Sequence, residues 1–210
     1  MKFLIRCEPP IILSKLKENY GSWSRFTDDE FEELWLSLEK MQGNFCAYCE
    51  NNLVGRDKHI EHFVPRSRNS RLTFEWENLF GSCNSSNNCG RYKDVKVTDY
   101  DINNILKPDI DDASEYFTFS STGGINIKKN LSDTSFFKAE ETIRVLNLDS
   151  TELNSIRRTL LGGYIQVAKE KLDLMEICDN EEDIDLILRE YMQIIKDMPF
   201  YSALFQLIFN

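Results

Sequence analysis

Cys46-Ala47-Tyr48-Cys49, then His59-Ile60-Glu61-His62-Phe63-Val64-Pro65, then Asn78-Leu79, then Cys83 and Cys89: the order of these residues decides how the chain is read. The first two cysteines form a C-x2-C pair, and five residues separate the second two. Thirty-three residues lie between the pairs. Two tight turns that each present two thiolates complete a tetrahedral zinc site, and a closed four-cysteine set leaves no coordination position for water. A structural zinc held by Cys46, Cys49, Cys83 and Cys89 is therefore expected; the alternative is four reduced thiols buried as small apolar groups. Their neighbours Asn44, Asn84, Ser85, Ser86, Asn87 and Asn88 are polar, which favours the metal. Cys7 and Cys178 have apolar surroundings far from the pairs and are expected in the core.

Both histidines of the chain fall between the cysteine pairs and bracket Glu61. Side chains alternate along a strand, so His59 and Glu61 would share one face, with His62 on the other unless the backbone turns. A lone histidine is ordinarily a packed or surface group. Two of them around a carboxylate, beside a proline and inside a metal frame, read as a site.

Outward from this stretch the chain becomes regular. Ile12, Leu13 and Leu16 share a helical face after Pro9 and Pro10, predicting a helix over 11–20. Thr27 and Glu30 stand at capping-box spacing, Asp28 and Asp29 favour the positive end of a helix dipole, and Phe31, Leu34, Trp35, Leu38 and Met41 recur at helical period. These predict a helix over about 28–41, ended by Gly43. Residues 115–120 and 125–129 flank Ser121-Thr122-Gly123-Gly124, a hairpin signal. Phe136, Phe137, Ile143 and Leu146 define one further helical face. Leu153, Ile156, Leu160, Tyr164, Val167, Ala168 and Leu172 define another, capped by Ser150 or Thr151. A third, with Ile184, Leu188, Tyr191, Met192 and Ile195, runs to Pro199. Residues 200–209 are apolar almost all round, so they are buried in the helical half or docked on a partner. The expected organisation is N-terminal helices over 1–43, the site-bearing module over 44–110, and a hairpin plus helical region over 111–210. The fold class is α+β.

The net charge of minus 10 over 210 residues is the wrong sign for a protein that grips a polyanion unaided. It is unevenly spread, however. Between Arg56 and Thr98 eight basic residues face five acids, a local balance of plus 3, so the remainder carries minus 13. At 41% hydrophobic and 29% charged, with 9 Gly and 5 Pro, the chain is neither collagenous nor disordered. It has no apolar run long enough to span a bilayer, and its start meets charge too early for a signal peptide. A cytoplasmic protein without membrane association is expected.

The residues quoted at the outset resemble the HNH endonuclease family, whose pattern is C-x2-C, Asp-His with a nearby Pro, Asn-Leu, and a second cysteine pair followed by Lys or His. Here the matching residues are Cys46 and Cys49, Glu61-His62 with Pro65, Asn78-Leu79, Cys83 and Cys89, and Lys93, over about fifty residues. The resemblance implies a ββα-metal module, a hairpin and helix held over a structural zinc. Arg6-Cys7-Glu8-Pro9-Pro10, residues 46–50, residues 73–80, residues 89–93 and residues 142–148 further resemble the PtuB-type nucleases of Septu anti-phage systems, including those carried with retrons. That likeness implies a PtuA-type ATPase partner. It also brings in a retron reverse transcriptase with its RNA/DNA product.

Phosphodiester hydrolysis needs a base to take a proton from water and a divalent cation to neutralise charge on the phosphate. His62 is the candidate base, and Glu61 the candidate oxygen ligand for Mg or Mn. By resemblance, Asn78 holds the histidine-bearing segment through amide hydrogen bonds; otherwise it is a cap or turn residue. Many relatives carry a metal-ligating Asn after the fourth cysteine, where this chain has Gly90. His59 is the first substitute, followed by Asn88 and Asp94. Lys93 would then meet a phosphate oxygen, as would Arg66, Arg68, Arg71, Arg91 and Lys96. Trp76 and Tyr92 either stack on a base or pack. A nucleic acid, DNA or structured RNA such as tRNA, is the implied substrate. The rival reading is a zinc-stabilised scaffold without catalysis.

Overall fold

The computed structural model describes residues 1–20, 23, 26–53, 55, 57–177 and 180–209, so the expectation for Cys178 lies outside the described residues. Helix α1 (Ile11–Tyr20) starts directly after Pro10 and buries Ile12, Leu13 and Leu16. Helix α2 (Asp28–Gln42) opens with a complete capping box: the Thr27 hydroxyl accepts from the Glu30 N–H, and the Glu30 carboxylate accepts from the Thr27 N–H at 2.9 Å. It stops at Gly43, whose φ of 68° lies in a region disfavoured for residues bearing a Cβ. Its apolar stripe, Leu34, Trp35 and Leu38, packs on the central hairpin.

That hairpin joins β1 (Lys58–His62) and β2 (Leu79–Cys83) antiparallel, with Ile60 opposite Gly81 and Glu61 opposite Phe80. Helix α3 (Cys89–Lys96) packs across both strands. A second small hairpin, β3 (Phe117–Phe119) with β4 (Ile125–Ile127), follows. The rest is helical: α4 (Asp133–Leu146), α5 (Thr151–Glu176), α6 (Glu181–Ile195) and α7 (Tyr201–Phe209). Among the described residues the class is thus α+β, with seven α-helices and two two-stranded sheets. No helix among them is long and apolar enough to cross a membrane. Buried apolar side chains from Met1 to Ile208 form one continuous cluster.

Several faces differ from those the apolar periodicity predicts. Phe136 and Phe137 are exposed, because α4 turns Ala139, Thr142, Val145 and Leu146 toward α3 and β4. On α5, Ile156 and Leu172 are also exposed, while Arg157 and Lys171 are buried. Carbonyl acceptors make this tolerable: Arg157 donates to Gly123 O (3.0 Å), Leu148 O (2.7 Å) and Asn154 Oδ1 (2.9 Å), and Lys171 donates to Ile208 O (2.8 Å). Cys7 is exposed rather than in the core, with Sγ 3.8 Å from the Ser37 carbonyl. Helix α7 takes the buried alternative, setting Ala203, Leu204 and Ile208 against α5 and β3.

Candidate metal centre and active site

The sulfur atoms of Cys46, Cys49, Cys83 and Cys89 all lie within 4.8 Å of one another. A 45–52 bridge closes the turn carrying the first two, β2 ends on the third, and α3 begins on the fourth. Cys89 has φ 61°, a positive value unusual for a residue with a Cβ. Polar groups line the cluster: Ser82 Oγ is 3.7 Å from Cys46 Sγ, and Asn88 Oδ1 is 3.4 Å from Cys83 Sγ. Burial pushes the Cys89 thiol well above its ordinary range, and the other three sulfur groups add to the shift. Four thiolates this close repel one another unless a cation lies between them, so the donor set fits a thiolate-bound metal. It is the only group of three or more Cys, His, Asp or Glu ligands within such reach among the described residues.

Across α3 lies the Glu61 carboxylate, 2% exposed. His59 Nε2 sits 3.1 Å from Oε2; a carboxylate only accepts, so that nitrogen carries the proton. Lys93 Nζ lies 2.9 Å from Oε1, yet Oε1 makes no aligned hydrogen bond and His59 Nδ1 is likewise buried without a partner. Burial pushes the Glu61 carboxyl up, but the Lys93 ammonium and His59 outweigh it and hold it below its usual value. Oε1 thus keeps a lone pair that no donor is aligned with, and a buried carboxylate oxygen of this kind fits a hard cation.

His62 ends β1 on the opposite face from Glu61. Its Nε2 donates to the Thr73 carbonyl at 3.0 Å, leaving Nδ1 with the lone pair, and Trp23 meets the ring edge-on at 4.4 Å. Burial, against the hydrogen bond to Thr73, lowers its pKa to about 4, so the imidazole is neutral near pH 7. The loop returning from β1 to β2 is clasped by Asn78. Its Oδ1 accepts from Val64 N–H (2.7 Å), and its Nδ2 donates to Val64 O and Leu72 O (3.1 Å each).

The basic residues divide. Arg66 and Arg71 are exposed, and neither side chain has a hydrogen-bond or ion-pair partner among the described residues. Arg68 bonds Tyr100 O (2.7 Å) and Thr98 O (3.1 Å) and stacks on Tyr100, while Arg91 bonds Asn84 Oδ1 at 2.7 Å. Lys93 has no exposed side-chain surface: besides Glu61 it pairs with Asp94 and donates to His62 O at 3.3 Å, serving as an internal counter-ion. Asn88 faces the sulfur cluster instead of Glu61. Trp76 is packed, with Nε1 donating to Cys7 O at 2.9 Å.

Two supports escaped the sequence reading. The Arg6 guanidinium donates to Trp76 O, Glu77 O (3.1 Å) and Leu79 O (3.2 Å) and pairs with Asp109, pinning the turn that carries Asn78. Gln42 donates to Gly81 O and accepts from Gly81 N–H, both at 2.8 Å, so its amide acts as a further partner of β2. An amide ending an apolar helix stripe was the available signal for Gln42; Arg6, about seventy residues away in sequence, entered only within the stretch that resembles the PtuB-type nucleases.

No protein-family model matches the chain. Curated proteins do. It is 29% identical over 202 residues to the protein named HNH endonuclease of retron Ec83 from Escherichia coli, covering 77% of this chain and 78% of that one. Two of its relatives carry HNH endonuclease in their names. Septu protein PtuB of Bacillus thuringiensis is 29% identical over 69% of this chain and 51% of its own length. The protein named HNH endonuclease of retron Vc95, from Vibrio cholerae serotype O1 biovar El Tor, is 25% identical over 63% of this chain and 65% of its own. The chain is thus similar, over 63–77% of its own length, to proteins named for Septu and retron systems.

Proposed function

We propose that the chain is an HNH-type endonuclease, hydrolysing nucleic-acid phosphodiester bonds as the effector of an anti-phage complex with a PtuA-type ATPase. In retron-linked systems a reverse transcriptase and its RNA/DNA product would join that complex. The observation that carries this is the placement of a buried carboxylate and a neutral imidazole on consecutive residues, Glu61 and His62, beside a four-cysteine cluster. The names of the three relatives support it.

In this reading the four cysteines hold zinc and tie α3 to the hairpin. Glu61, with His59 beside it, holds Mg or Mn, a Lewis acid that neutralises charge on the phosphate and leaving oxygen. His62 takes the proton of the attacking water on Nδ1, its tautomer fixed by Thr73. Asn78 and Arg6 keep that ring in place by holding the loop. Arg66, next to His62, offers a free guanidinium to a phosphate oxygen. The acidic body has little grip on a polyanion, which the ATPase partner would supply.

The test is incubation of the purified complex with labelled DNA and labelled RNA, with and without Mg or Mn. Metal-dependent cleavage lost in His62→Ala supports the reading, and the two substrates decide between DNA and structured RNA. Glu61→Ala should be partly rescued by raised metal concentration, which His62→Ala should not be. Cleavage at normal rates by His62→Ala would leave the zinc-stabilised scaffold as the better account.

A further inference from the structure

Gly90 sits in the first turn of α3 with no backbone reason to be glycine, since its φ is not among the positive values found in this chain. In a helix glycine is a poor choice, costing backbone entropy that alanine does not. What surrounds it explains the choice. A Cβ at this position would fall 2.2 Å from both Cδ and Oε2 of Glu61 and 2.7 Å from Oε1. The carboxylate cannot simply swing clear: it is buried, with Oε2 against His59 at 3.1 Å and Oε1 against Lys93 at 2.9 Å. Lys93 lies three residues after Gly90, so one face of α3 supplies both the space and the counter-ion for the same carboxylate.

We infer that Gly90 is a positioning residue: its missing side chain is the slot that fixes the Glu61 carboxylate beside His59. The inference rests on the reading of Glu61 as a cation ligand, and its steric part stands apart from that reading. A side chain at position 90 drives the carboxylate off His59 and Lys93, whereas a one-methylene-shorter acid at position 61 makes room for it.

The test uses the full-length zinc-loaded chain and the variants Gly90→Ala, Glu61→Asp and the double variant. Readouts are zinc content, thermal midpoint and Mn titration followed by the EPR signal of free Mn. Gly90→Ala should keep its zinc, melt lower than wild type, and bind Mn about 10- to 100-fold more weakly, the usual effect of disturbing groups that orient a ligand. Adding Glu61→Asp should raise the midpoint above that of Gly90→Ala and return Mn affinity to that of Glu61→Asp alone. Gly90→Ala with wild-type midpoint and Mn affinity would overturn the slot, as would a double variant no better than Gly90→Ala. If wild type binds no Mn, yet Glu61→Asp still relieves the destabilisation by Gly90→Ala, the slot stands and the cation role of Glu61 falls.

Discussion

His62 is built to stay neutral. Its Nε2–H is committed to the Thr73 carbonyl, Trp23 covers an edge of the ring, and burial brings its pKa to about 4. As a general base it should contribute roughly 10²- to 10⁴-fold in rate, so His62→Ala should be folded, zinc-bound and slower by that factor in a single-turnover cleavage assay. A cation at Glu61 would depress the pKa further, so cleavage by the loaded complex should lose no rate to His62 protonation until well below the ordinary histidine range. A rate falling off near pH 6.5 would contradict this. Stability carries the same sign. Between about pH 6.5 and 4 the unfolded chain holds a proton here that the folded chain lacks, so His62 lowers stability as pH falls through that window. Denaturant midpoints across it should be flatter for His62→Asn than for wild type.

Among the elements, α5 shows how a buried cation can organise its neighbours. Arg157 gathers the turn between β3 and β4, the carbonyl after α4 and its own helix through three hydrogen bonds. Removing it strands two buried main-chain acceptors, Gly123 O and Leu148 O, each costing about 1–3 kcal/mol. Arg157→Ala should therefore lower stability by several kcal/mol in urea unfolding, whereas Arg158→Ala, at an exposed neighbour, should stay within about 0.5 kcal/mol. Helix α2 offers a smaller case. Thr27→Ala removes the capping box and should cost about 1 kcal/mol, measured the same way.

Over the whole molecule, the cysteine cluster and the last helix prove to be joined. Glu50 directly follows Cys49; its carbonyl accepts from Phe200 N–H at 2.9 Å and its carboxylate from Ser202 N–H at 2.8 Å. Phe200, Leu204 and Ile208 are buried, at about 1.5–3 kcal/mol each, a sum comparable to the total margin of about 5–15 kcal/mol for a domain. Deleting residues 200–210 should thus unfold the helical half and also weaken zinc retention, read by circular dichroism and metal analysis. Intact protein should carry about one zinc per chain, and strong chelation should melt it. A fully folded zinc-free chain would refute the structural metal.

The sequence by itself determined what depends on neighbours along the chain. The capping box at Thr27 and the stop at Gly43 were legible, as were the hairpin turn around Gly123 and a cap for α5 at Ser150 or Thr151, which the structure places at Ser150. So were the four cysteines that gather into one cluster, because their number, spacing and polar setting were themselves the signal. Tertiary structure decided what depends on who lies across the gap. Apolar periodicity assigns a stripe to a helix but cannot show where cover ends, so Phe136 and Leu172 were placed inside although they lie in water. The sequence sent Lys93 to a phosphate oxygen and gave Arg157 no role; only the folded chain sets a carboxylate beside the one and three acceptors beside the other. Gly90 looked like a missing ligand, and only the approach of β1 to α3 fills its empty side with the carboxylate of Glu61. Steric exclusion and charge pairing act over a few ångströms of space, between residues tens of positions apart in the chain.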